Sequence, residues 1–170
     1  MNVSGIAAKM IEYFEGNLRY INHFMKVYAY ARTIGECEGL DENTQTSLEL
    51  AAIIHDIACP LCREKYGNAN GKHQEREGQI LAADFLKDAE YPEELVNRVI
   101  FLVGHHHTLD CIAGLDYQIL IEADYIVNAD ESSYPSAHIL DTMNRTFGTP
   151  TGVALLKSIY GREQSEKATL

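Results

Sequence analysis

From Leu48 to Ala58 the chain reads LELAAIIHDIA, a run in which nearly every position is apolar yet His55 and Asp56 stand side by side. As a helix, such a run has no wet face, so the rest of the chain has to be built around it. Burying an unpaired carboxylate or imidazolium is strongly unfavourable. The two polar residues therefore need partners that arrive from elsewhere in the fold.

Those partners should come from other helices. Only four prolines occur, at 60, 92, 135 and 150, and between them apolar residues recur with helical, not alternating, period, which predicts an all-α fold. A first helix is expected to start near Ser4, a candidate N-cap, and to weaken at Gly16-Asn17; a second should run from about Leu18 to Ile34. On the second, Tyr20, Val27, Ala31 and Ile34 form a stripe that includes His23. GECEGLDENT reads as a loop with Asp41 as a cap, and REKYGNANGK, after Pro60, as another loop before a helix from about His73 to Lys87. Pro92 suits the first turn of a helix that runs through Val96, Val99, Ile100 and Val103 into GHHHT. In YQILIEADYIVNAD, Asp124 shares a stripe with Leu120, Ile121 and Val127. Two shorter helices are expected over about 136–161.

A chain of 170 residues fits one domain that buries roughly 70% of its unfolded surface. With no repeat, linker or low-complexity tract, residues 1–170 are expected to form a single unit with its site within about 18–130. A net charge of -11 argues against nucleic acid or an anionic membrane as partner. No stretch approaches the ~20 apolar residues that span a bilayer, and MNVSGIAAKMIEYFEG lacks the features of a secretory leader, so a cytoplasmic location is expected. Four irregularly spaced cysteines do not make a disulfide framework.

His23, His55-Asp56 and Asp124 lie on three helices whose stripes must meet in one core. Taken singly, each has an ordinary reading: a hydrogen-bonded core histidine, a helix-end pair, a cap or an arginine partner. Together they suit a divalent cation, because neutral imidazoles and carboxylates around a cation satisfy one another.

In this order the four residues resemble the signature of the HD-domain metal-dependent phosphohydrolases: a His, then His-Asp, then a distant Asp. The resemblance covers roughly residues 18–130, and HDIACPLCREKYGN is similar to small single-domain bacterial members. It implies an all-α, single-domain helical bundle of the HD-domain type. The cofactor it implies is one or two divalent transition metals (Fe, Mn, Ni, Co or Zn) held by His23, His55, Asp56 and Asp124. The implied activity is hydrolysis of a phosphorylated small molecule, with a nucleotide as the expected partner. His55 and Asp56 would then stand at the reacting centre, with Asp56 as the bridge if two ions bind.

Some branches of that family hold a second ion through further histidines, for which His73 and GHHHT are the candidates. Successive helical residues differ by about 100°, which favours His105 with His106 and turns His107 away. Glu75 or Glu77 are alternatives to His73, and both, with whichever histidine of 105–107 holds no metal, are candidate acid–base groups. Arg63, Lys65, Lys72 and Arg76 are candidate phosphate contacts, against a plainer reading as solvated loop charges. Cys59 and Cys62 read as small structural residues or as a redox pair. Cys59 and Pro60 follow the His-Asp pair where the ppGpp hydrolases carry Glu-Asp nearby and the 5'-nucleotidases a Glu, and the Gly-Tyr-Pro motif of the cyclic-di-GMP branch is absent, so those activities are disfavoured. Two other functions suit the same scaffold: a di-iron oxygenase, as in myo-inositol oxygenase, and a non-catalytic nucleotide-binding sensor.

Overall fold

A computed structural model describes residues 2–161; Met1 and residues 162–170 of the expected single unit lie outside the described residues. The all-helical expectation holds among them. The order is α1 (Val3–Tyr13), α2 (Leu18–Glu38), α3 (Glu42–Ile54), α4 (Cys59–Tyr66), α5 (Gly71–Leu86), α6 (Glu93–Val103), α7 (Leu115–Glu131), α8 (Ser136–Thr146) and α9 (Pro150–Tyr160). No helix among the described residues is long and apolar enough to cross a membrane.

Helix starts follow side-chain capping. Asp41 Oδ1 accepts the backbone N–H groups of Asn43 and Thr44 at the head of α3, and Asn70 and Thr149 do the same for α5 and α9. At α1 the cap is Asn2, not Ser4, because the Asn2 side chain reaches Gly5 N–H at 3.0 Å. Gly39 and Gly67 end α2 and α4 in the left-handed region, with φ 75° and 71°. Because each helix runs closer to its glycine than expected, the two loops shrink to about 39–41 and 67–70.

Helix α3 is the centre: every residue from Ser47 to Ile54 is buried, and α1, α2, α6 and α7 pack around it. It does not continue to Ala58, however. Carrying the helix through Pro60 would set the pyrrolidine ring against the Asp56 carbonyl, and residues 55–58 instead form a turn before α4. That break leaves His55 and Asp56 at the C-terminal end of the most buried helix, with α2 and α7 alongside.

Candidate metal centre

Three imidazoles are held by the same device. Each engages Nδ1 with a fixed acceptor and aims Nε2 at the carboxylates. His55 Nδ1 donates to the Ala52 carbonyl at 2.9 Å, His106 Nδ1 to the Val103 carbonyl at 2.8 Å, and His23 Nδ1 to Glu131 Oε2 at 2.9 Å. A carbonyl can only accept, so in the neutral rings the proton sits on Nδ1 and the Nε2 lone pair is free.

The free nitrogens converge. His23 Nε2 lies 3.3 Å from His55 Nε2, 3.2 Å from Asp124 Oδ1 and 3.7 Å from Asp56 Oδ2. His55 Nε2 lies 3.5 Å from Asp124 Oδ1 and 3.9 Å from Asp56 Oδ1. Ligands about 2.1 Å from a cation stand roughly 3.0–3.4 Å from one another in octahedral or tetrahedral arrangements. Two imidazole lone pairs facing each other at 3.3 Å are unfavourable unless a proton or a cation lies between them. The donor set and its spacing therefore suit a divalent cation.

Without a cation, protons take that place. Burial pulls His23 down, but the hydrogen bond to Asp124 and the Asp124 and Asp56 charges outweigh it and raise His23 to about 9. His55 moves in the same direction, burial again being overcome by Asp56 and Asp124. Asp56 and Asp124 are held below the usual carboxylate range: burial pushes both up, and the facing imidazoles more than offset it. A proton and a cation thus compete for His23 Nε2. Metal uptake at the His23 donor group at pH 7 should release at least one proton, and its affinity should rise with pH until about 9. Calorimetry in two buffers of different ionisation heat reads this directly; heats that agree in both buffers would contradict it.

A second group of donors adjoins the first. Ligand atoms of Asp56, His106 and His107 all lie within 4.8 Å of one another, as do those of His23, His55 and Asp56, so Asp56 belongs to both sets. His106 Nε2 is 3.8 Å from Asp56 Oδ1 and is buried without any hydrogen-bond partner. Burial, with His107 and His55 nearby, lowers His106 to about 3. The ring is neutral at pH 7, and an orphaned buried lone pair of this kind is what a cation would satisfy.

Here the geometry differs from the sequence expectation. His105, not His107, turns away: its Nδ1 donates to Phe101 O at 2.7 Å and its ring stacks on Phe101. The reason is that α6 stops at Val103, so the 100° rotation per residue does not carry into the turn at 104–107. Helix α5 then fixes the turn. Glu75 Oε1 accepts His107 N–H and the Thr108 hydroxyl, and Gly71 leaves the space that His107 fills, since a Cβ there would stand 2.8 Å from the ring. His73 belongs to neither donor group and stacks on Tyr66, with ring centroids 4.0 Å apart.

Other expected residues also separate. Glu77 takes the Tyr66 hydroxyl and Lys65, and these, with Arg76, bring it down to about 2, which makes it a permanent anion and unsuited to give a proton. Lys65 and Arg76 are accordingly engaged by Glu77 and do not line the cavity beside the donors. Lys72 lines a neighbouring, larger cavity with Glu75, His107 and Thr108. Arg63 does line the cavity at the donors. Cys59 lines it too, but its thiol donates to Gln74 Oε1, and burial followed by Asp56 pushes it up; burial also raises Cys62, and both are free thiols.

Several residues at the site gave no signal in the sequence reading. Glu131 fixes the His23 ring from the last residue of α7, and Asn128 donates to Asp124 Oδ1 at 2.8 Å. Both fall one turn apart on the helix that carries Asp124, so the spacing 124, 128, 131 could have shown them. Gln74, next to the expected His73, is the α5 side chain that faces the cavity.

The HD domain family matches residues 20–145, about three quarters of the chain. No curated protein matches the chain in sequence. Among solved structures it is similar to a crystal structure described as a predicted HD superfamily hydrolase from an uncultured Thermotogales bacterium. The identity is 23%, the similarity covers 98% of this chain and 88% of that one, and the TM-score is 0.70, a likeness of fold. With a family match over most of its length, and with His23, His55-Asp56 and Asp124 gathered at one place, the chain belongs to the HD domain family.

Proposed function

We propose that this protein is a metal-dependent phosphohydrolase acting on a phosphorylated small molecule, with nucleotides as its substrate class. The observation that carries the reading is the convergence of the His23 and His55 Nε2 lone pairs on Asp56 and Asp124 at the wall of an open cavity. Burial raises the one thiol in that wall, Cys59, so it is a poor nucleophile and water is left to attack.

His23, His55, Asp56 and Asp124 would hold one cation, and Asp56 with His106 and His107 a second. A divalent cation in such a site supplies Lewis acidity, acidifying water towards a pKa of ~7 and polarising a phosphoryl oxygen. The chain's own groups do the positioning. Glu131 keeps the His23 proton on Nδ1, Asn128 fixes the Asp124 carboxylate, and the 106–108 turn is clamped by Glu75. Partners of this kind orient the ligand rings and typically carry about 10–100-fold in affinity or activity. Glu75, with its carboxylate committed to His107 N–H and Thr108, serves as a positioning residue in this reading and not as an acid.

The test is a phosphate-release screen over nucleoside mono-, di- and triphosphates, with the protein stripped by chelator and then reloaded with Mn, Fe, Co or Ni. Release that appears on reloading and disappears in chelator is the expected result. Full turnover in chelator, with metal loss verified, would end the proposal. Oxygen uptake without phosphate release would favour a di-iron oxygenase, and tight nucleotide binding without turnover would favour a sensor.

A further inference from the structure

Six arginines lie among the described residues, and four of them are paired with carboxylates: Arg32 with Glu36, Arg76 with Glu77, Arg98 with Asp116 and Arg145 with Asp141. Among the described residues, Arg19 and Arg63 have no carboxylate within ion-pair distance, although the chain carries a net charge of -11. Both line the same cavity, the one walled by His23, Asp56 and Asp124. They reach it from different elements: Arg19 from the first turn of α2, Arg63 from the middle of α4.

Tyr20 links them. Its ring stacks on Phe14 beneath, at 4.8 Å between centroids, and the Arg63 guanidinium lies over it at 5.4 Å. A guanidinium resting on an aromatic face loses little freedom when it takes a further partner. Burial raises the Tyr20 hydroxyl, and the charges of Arg63 and Arg19 both act against that rise. Asp56 and Asp124 lie nearby, but a divalent cation between them would use up their charge. Glu131, the remaining carboxylate of the wall, is committed to His23 Nδ1 and Lys26, so the two guanidiniums would then face a cavity with no uncommitted anion of the protein's own.

We propose that Arg19 and Arg63 form a two-guanidinium grip at the mouth of this cavity and select substrates that end in a phosphomonoester. The inference rests on the phosphohydrolase reading and narrows it. The cavity holds about 150 Å³, below the roughly 300–1,000 Å³ of pockets that enclose a drug-sized ligand. It takes a phosphoryl group beside the donors, and the ester's organic part would lie beyond it, towards solvent or the adjoining cavity of about 760 Å³ that shares His107. A terminal phosphoryl group carries three non-bridging oxygens and two negative charges, enough to meet the cation and both guanidiniums together. A phosphodiester has two such oxygens and one charge, and its second ester arm would project into the grip.

The experiment uses the Mn-loaded full chain with p-nitrophenyl phosphate and bis(p-nitrophenyl) phosphate, and inorganic phosphate as competitor. Wild type should favour the monoester. Arg19→Ala and Arg63→Ala should each lower kcat/KM for the monoester about 10–100-fold, the range of one charge-assisted contact. Each should weaken inhibition by phosphate in step, leave Mn content unchanged and narrow the preference over the diester. Arg63→Lys should recover only part of the loss, since an ammonium cannot make the bidentate contact. Both side chains are exposed, so the variants should fold. Unchanged phosphate inhibition and unchanged selectivity in the double variant would overturn the grip. If Mn-loaded wild type hydrolyses neither ester, the phosphohydrolase reading stands or falls separately, on the nucleotide screen with all four metals. The grip is then judged by calorimetry with inorganic phosphate: binding lost in the double variant supports it, and equal or absent binding in both proteins overturns it.

Discussion

Replacing Asp56 with asparagine should leave a folded protein almost devoid of transition metal, with phosphate release down by about 10³-fold or more, beyond the ~100-fold that an outer-shell partner carries. The expectation follows from position. Asp56 is the one carboxylate in both donor groups, with Oδ2 3.7 Å from His23 Nε2 and Oδ1 3.9 Å from His55 Nε2 and 3.8 Å from His106 Nε2. Asparagine keeps the shape but removes the charge that offsets a buried cation, and its NH2 group can stand towards the imidazoles. Glu131→Gln provides the graded comparison: within the donor cluster it touches only the far nitrogen of His23, its other oxygen holding Lys26, so its loss should stay within about 10–100-fold. Elemental analysis of both variants beside wild type, with helicity as a check on folding, decides the matter. Wild-type metal content in Asp56→Asn would refute the shared-carboxylate arrangement.

Glu122→Ala should be the most destabilising change outside the metal centre, by roughly 3–5 kcal/mol, or a fall in Tm of about 10 °C. Glu122 is fully buried on α7. Its carboxylate accepts Gly148 N–H at 2.7 Å, Thr149 N–H at 2.9 Å, Gln118 Nε2 at 2.7 Å and the Thr149 hydroxyl. Thr149 in turn caps α9 by accepting Gly152 N–H. Alanine would strand these donors in the interior, and each unsatisfied one costs about 1–3 kcal/mol. Gly152 belongs to the same arrangement, because a Cβ there would fall 1.9 Å from Glu122 Oε2. Asp124 sits two residues on, about 200° around the helix, so metal content per folded molecule should not change. A thermal melt shifted by less than about 2 °C would show that water replaces the carboxylate without loss.

Neither Glu122 nor the α8–α9 turn it secures could be read from the sequence, where Glu122 is one acidic residue in an apolar helix. Three of its four donors come from 26 and 27 residues away, and nothing local marks those. The same holds for Glu77, which looked like a free acid until α4 and α5 brought Tyr66 and Lys65 onto it. By contrast, His23 and Asp124 were legible because each breaks an apolar stripe at helical spacing, and a polar group on a buried stripe has to find a partner in the core.

The amino-acid sequence alone determined the helical class, the capping of α3 by Asp41, and the presence of His23, His55, Asp56 and Asp124 on faces that had to be buried. All of these follow from backbone geometry within one element, where 3.6 residues per turn and the reach of a side chain to its own backbone decide the outcome. Only the tertiary structure decided that Asp56 is shared by two donor groups, that His107 and not His105 joins His106, that Glu131 stands behind His23, and that Arg19 and Arg63 line one cavity. Each of these depends on how helices cross or on where the chain goes after one ends, and that path is set by packing against residues far away in the sequence.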